Sequence, residues 1–128
     1  MGISNPVVYF EIPVNDINRA KQFYSAVFGF KFTDEVIDSY EMALFPFAET
    51  GSGITGALAK GDVYKPTNNG VIIYFKTDDI DTTLQLATEH GGKVLYPKTI
   101  NATYGVAIAE FEDSEGNRIA LQQRSVVA

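Results

Sequence analysis

The chain has 128 residues, with 16 acidic against 10 basic side chains, a formal net charge of -6 and no cysteine. This length favours one domain, and the missing thiols exclude disulfides, thiolate catalysis and Cys-ligated metal. The acidic balance and the scattered Lys and Arg argue against a nucleic-acid partner, and no apolar run approaches the ~18 residues of a membrane span.

Taken in chain order, VVYFEIPV (residues 7–14) alternates and is rich in β-branched and aromatic residues, so it reads as a strand. Its alternation sends Val8, Phe10 and Ile12 to a face expected to pack under helices, and Tyr9 and Glu11 to the other. NDINRAKQFYSAVFGFKF (15–32) opens on residues suited to cap a helix. It carries the apolar stripe Ala20, Phe23, Tyr24 and Val27, and it stops at Gly29, fit for a left-handed C-terminal position. YEMALFPF (40–47) reads as a further strand.

Next comes GSGITGAL (51–58), a literal G-x-G-x-x-G formed by Gly51, Gly53 and Gly56. A dinucleotide loop of this kind needs a helix after it and a crossover to a parallel strand. Here ITGALAK reads as a strand, and the turn-rich AKGDVYKPTNNG (59–70) follows. The glycines are therefore turn residues, and no nucleotide cofactor is expected.

The second half repeats the first. VIIYFKT precedes DDIDTTLQLATEHGGKVL, as VVYFEIPV precedes the first helix. Asp79 answers Asp16, Ile80 answers Ile17, Gln85 answers Gln22 and Gly92 answers Gly29, all at one spacing. YGVAIAEF echoes YEMALFPF, and GNRIAL echoes GITGAL. Four stretches in the same order predict two tandem βαβββ modules: an α+β fold with a curved mixed sheet forming a cup and helices on its outer face. A single domain over 1–128 is expected, with module one at about 6–60, a connector at about 61–70 and module two at about 71–124. The one histidine, His90, falls at the end of the second helix, where a partial positive charge is favourable, rather than on a cup strand.

On YFEIPVNDINRAKQFYSAVFGF, YFKTDDIDTTLQLATEHGGKV and YGVAIAEFEDSEGNRIAL, the chain resembles the vicinal oxygen chelate superfamily. That superfamily includes glyoxalases, bleomycin-resistance proteins and extradiol dioxygenases. Within it, the chain is most similar to the predicted lactoylglutathione lyase-like proteins. In metal-dependent members each module supplies one ligand from its first strand, usually His, and one from its fourth, usually Glu. The resemblance places those ligands on Tyr9 and Ala57, and on Ile72 and Ala120. Alanine and isoleucine have no donor atoms, and one neutral phenol does not hold a divalent ion. No metal and no cofactor are therefore expected.

Strand alternation assigns the cup side chains: Tyr9 and Glu11; Ile72, Tyr74 and Lys76; Arg118, Ala120 and Gln122. Tyr9, Tyr40, Tyr74 and Tyr104 are candidates to stack on a planar ligand. Glu11 is the candidate general base, or else the partner of Lys76 or Arg118 in an ion pair. Tyr64-Lys65-Pro66 of the connector is expected over the cup mouth.

The leading expectation is a metal-free binder of a small organic molecule. The alternatives are a lyase or isomerase, using Glu11 or a metal at shifted positions, and an interaction module. The resemblance further implies a homodimer. With neither a basic-then-apolar leader nor a spanning run, cytoplasmic residence and no membrane partner are expected.

Overall fold

The computed structural model describes residues 5–49 and 53–124. Gly51 of the glycine motif lies outside them. The elements follow in the order β1 (Phe10–Val14), α1 (Ile17–Phe28), β2 (Thr33–Ile37), β3 (Tyr40–Leu44), β4 (Gly56–Lys60), β5 (Ile73–Lys76), α2 (Ile80–Glu89), β6 (Lys93–Asn101), β7 (Val106–Glu112) and β8 (Arg118–Arg124). The strands form two four-stranded mixed sheets, ordered β1-β4-β3-β2 and β5-β8-β7-β6. In each, the first strand runs parallel to the fourth and the other pairs are antiparallel. The βαβββ unit is thus written twice, as the internal echo predicts. Gly53 and Gly116, which correspond in the two copies, share the same φ of 96°.

The helices form where the caps and stripes put them. Asp16 accepts the Arg19 backbone N–H at 3.0 Å, and Asp79 accepts that of Thr82 at 3.3 Å. The inner stripe of α1 is Ala20, Phe23, Tyr24 and Val27; that of α2 is Ile80, Thr83, Leu84 and Ala87. Gly29 takes the left-handed C-terminal conformation expected of it, with φ 78°. In the second copy that conformation falls one residue early, on Gly91 at φ 105°, not on Gly92. Gly92 is needed for space instead: a Cβ there would meet the Glu112 carbonyl oxygen at 2.6 Å.

Both stripes enter one core with Ile12, Val14, Leu58, Phe111, Ile119 and Leu121. The expectation that Val8 packs under the helices is corrected, since it precedes β1 and is 83% exposed. Close packing dictates composition at one point. β1 and β4 pair with Phe10 opposite Gly56, where a Cβ would lie 2.1 Å from the Phe10 carbonyl oxygen.

The modules are locked together by a buried polar turn between β7 and β8. Glu115 accepts the backbone N–H groups of Asn15 and Asp16 at 2.8 and 2.9 Å, at the head of α1. The same carboxylate accepts Arg19 Nε at 2.7 Å and a second guanidinium N–H at 3.0 Å. Burial alone would raise its pKa, but Arg19 and these backbone donors outweigh it and hold the carboxyl below the usual range. Asp113, two residues away, accepts the fully buried Tyr24 hydroxyl at 2.6 Å and the N–H groups of Glu115 and Asn117. There burial wins, and the carboxyl is pushed up despite those donors.

Candidate functional site

The faces turned away from the shared core carry the cup residues, and the structure sorts them into two groups. The first belongs to module one. Glu11 stands beside Ala57 across the parallel β1–β4 pair. One carboxylate oxygen accepts the Tyr9 hydroxyl at 3.0 Å, and the other accepts the Tyr64 hydroxyl at 2.8 Å. Tyr64 comes from the connector, which does fold over this face. Its ring meets Tyr40 edge-on at 5.4 Å, and Tyr40 donates to Asp62 at 2.9 Å. Beneath them Met42, Ala57 and Ala59 are buried. Partial burial, and then the bond to Glu11, push the Tyr9 phenol up to about 12. The Tyr64 phenol is raised chiefly by its bond to the same carboxylate.

The expected ion pair between Glu11 and Lys76 or Arg118 is not formed. Arg118 pairs with Glu110 on the neighbouring strand, a partner one strand away in the same sheet. Glu11 lies in the other sheet and satisfies itself with phenols. Tyr104 stands before β7, in the β6–β7 turn, and is 78% exposed. His90 caps the C-terminus of α2 and is exposed, as expected.

The second group lies at the seam between the modules. β1 and β5 are edge strands of their sheets, and no ladder joins them. A cleft of about 910 Å³ runs along this seam. Ile72, Tyr74, Lys76 and Gln122, all expected in the cup, line it. So do Phe10, Phe30, Phe45 and Phe75, together with residues of the β3–β4 connection such as Pro46, Ile54 and Thr55. The four phenylalanines form one cluster: Phe45 lies 5.4 Å from Phe10, 5.6 Å from Phe30 and 5.7 Å from Phe75 between ring centroids. Their cleft role was hidden in sequence, because Phe10 and Phe75 alternate onto the core side of their strands. The core opens at the seam, and those rings reach the cleft from beneath. Lys76 sits opposite Gln122 in the β5–β8 pair, and Tyr74 opposite Ala120.

The positions where the family holds metal do not fit one here. Ala57 and Ala120 are fully buried and carry no donor atom. Beside Ala120, in register with Glu110, stands the Arg118–Glu110 pair, whose carboxylate is already engaged by a fixed cation. Among the described residues no three His, Cys, Asp or Glu converge.

A family model described as the glyoxalase/bleomycin resistance protein/dioxygenase superfamily matches residues 7–121. A "glyoxylase-like domain-containing protein" of Didymella fabae is 31% identical over 127 residues, 97% of this chain and 98% of the relative. A glyoxalase/bleomycin resistance protein/dioxygenase family enzyme from Burkholderia phytofirmans PsJN superposes with a TM-score of 0.71 at 16% identity, covering 90% of this chain and 95% of that one. A superfamily member from Sphaerobacter thermophilus gives 0.68 at 24% identity, over 92% and 96% of the two chains. Glyoxalase I from Zea mays gives 0.66 at 20% identity over 92% of this chain, which spans only 46% of the maize protein. At these identities the structural likeness speaks to the fold alone.

Proposed function

The chain belongs to the glyoxalase/bleomycin resistance protein/dioxygenase superfamily, and on that premise we propose that it binds a small organic molecule in the inter-module cleft, without a metal ion. The observation that carries this reading is the pairing of two features. A phenylalanine-floored cleft of about 910 Å³ opens at the module seam. The chelating positions implied by the family resemblance hold Tyr9, Ala57, Ile72 and Ala120, which supply no set of metal donors. Small-molecule sites are concave and mostly apolar, with a few convergent polar groups, and Tyr74, Lys76 and Gln122 supply those groups here.

A lyase or isomerase using Glu11 as base has less in its favour. Both oxygens of Glu11 already accept phenol hydrogens, and it does not line the cleft. The chain is also read as a homodimer. The support is the set of large apolar side chains left exposed on the sheets, among them Val36, Tyr96 and Ile100. Light scattering on the purified protein tests that part.

The binding reading is tested by thermal-shift screening of chelator-treated protein against small aromatic compounds. A native-state ligand raises the melting temperature by mass action. The expected result is a set of hits unaffected by chelator. Hits that vanish with chelator and return with added zinc or iron would overturn the metal-free reading.

A further inference from the structure

The charge lining the cleft departs from that of the whole protein. The chain carries 16 acidic and 10 basic side chains. Half of its cations are spent in ion pairs: Arg19, Lys21, Lys60, Lys98 and Arg118 each meet a carboxylate within 4.0 Å. Lys76 and Arg124 have no such partner among the described residues, and both line the seam cleft. No Asp or Glu lines it. This cleft at the phenylalanine cluster is therefore a cationic place on an anionic molecule.

The geometry groups these cations with an apolar wall. Lys76 and Gln122 are register partners on β5 and β8, so they project from the same face. Arg124 follows Gln122 by two residues on β8 and shares its side of the sheet. Phe10, Phe45 and Phe75 line the same cleft. A ligand meeting both sets needs an apolar, preferably planar, body and a negatively charged head.

We infer that the cleft selects small organic carboxylates, with the acid held by Lys76, Gln122 and Arg124 and the apolar body laid against the phenylalanine cluster. This rests on the proposed small-molecule role of the same cleft. A carboxylate gains charge-assisted hydrogen bonds from these side chains that its amide does not. Its approach is also favoured by the local positive potential, a contribution that salt weakens.

The test uses the intact protein and a matched set: naphthylacetate, its neutral amide, and naphthylmethylammonium. Dissociation constants come from NMR titration, followed at the backbone amides of Tyr74 to Lys76 and of Gln122. Naphthylacetate should bind about fivefold to tenfold more tightly than the amide, as expected for a half-exposed charge-assisted contact, and the cation most weakly. Lys76→Gln should lower the acid-to-amide ratio to about half or less, whatever it does to binding of the amide itself, and Arg124→Gln should lower the ratio by a smaller factor. Both residues are exposed, so the variants are expected to fold, and unchanged spectra away from the cleft check this. An amide that binds as tightly as the acid, or a ratio that survives Lys76→Gln, overturns carboxylate selection and leaves the cleft reading standing. Failure of all three compounds to shift the cleft amides overturns both.

Discussion

Replacing Glu115 by Gln tests the lock that sets one module against the other, and hence the shape of the seam. The Glu115 side chain is fully buried. A Gln carbonyl still accepts the N–H groups of Asn15 and Asp16, so the head of α1 keeps its backbone partners. The Gln amide, however, then faces Arg19 Nε, which donates at 2.7 Å in the native protein. A charged bond is lost and two donors oppose one another. Removing a charged hydrogen bond costs about 1.5–3 kcal/mol. The Arg19 side chain is 53% exposed, so solvent screening holds the expected loss near 2 kcal/mol. In a domain of this size that is a fall of about 6–10 °C in melting temperature.

Thermal and urea unfolding at neutral pH measure that loss, and pH adds a sign. The folded Glu115 carboxyl titrates below its ordinary range. Its contribution is therefore present above the unfolded pKa and is lost as pH falls through the folded one. The gap between native protein and E115Q should narrow on acidification. Asp113 runs the other way, because its raised carboxyl favours the folded state at low pH and that benefit is lost as pH rises through its folded pKa. That contribution is common to both proteins and cancels in the difference. A gap under about 0.5 kcal/mol at neutral pH, the scatter of ordinary surface substitutions, would refute the lock.

Four further outcomes follow from the geometry. Gly56→Ala places a Cβ 2.1 Å from the Phe10 carbonyl oxygen, a backbone clash that should cost about 3 kcal/mol or more by urea unfolding. Deprotonating Tyr9 should weaken the fold at alkaline pH. Its phenol is pushed up to about 12, so its stabilisation is present below the ordinary tyrosine pKa and lost as pH rises through the folded value. Glu11→Gln should bring the titrations of Tyr9 and Tyr64 back toward the ordinary value, Tyr64 the more fully because Glu11 is its main cause, read by phenolate absorbance. Protein dialysed against zinc, iron or manganese should retain well under about one equivalent by elemental analysis, because Ala57 and Ala120 offer no donor.

Much of the fold was legible because it is written twice. Helix caps at Asp16 and Asp79, the two inner stripes and the strands around them are local patterns, and repetition fixed their order. That the positions where the family resemblance puts chelating groups hold Ala57, Ile72 and Ala120 can be read directly from the sequence. What stayed hidden is long-range. Nothing near Glu115 announces that it will cap the head of α1, and nothing near Arg118 chooses Glu110 over Glu11. Alternation placed Phe10 and Phe75 in the core, and so concealed that the core opens along the seam between two unpaired edge strands. Tyr64 was placed over the cup only by its position between modules. Its bond to Glu11 depends on a connector path that turn residues signal but do not direct.

The central claim is that ligand recognition belongs to the seam and not to a metal. NMR mapping of a thermal-shift hit on chelator-treated protein tests it most directly. The account predicts saturable shifts concentrated at Ile72 to Lys76, Gln122 and the ring protons of Phe45 and Phe75, unchanged by added zinc. Shifts confined to the Glu11–Tyr64 face, or binding that appears only once metal is supplied, would contradict it.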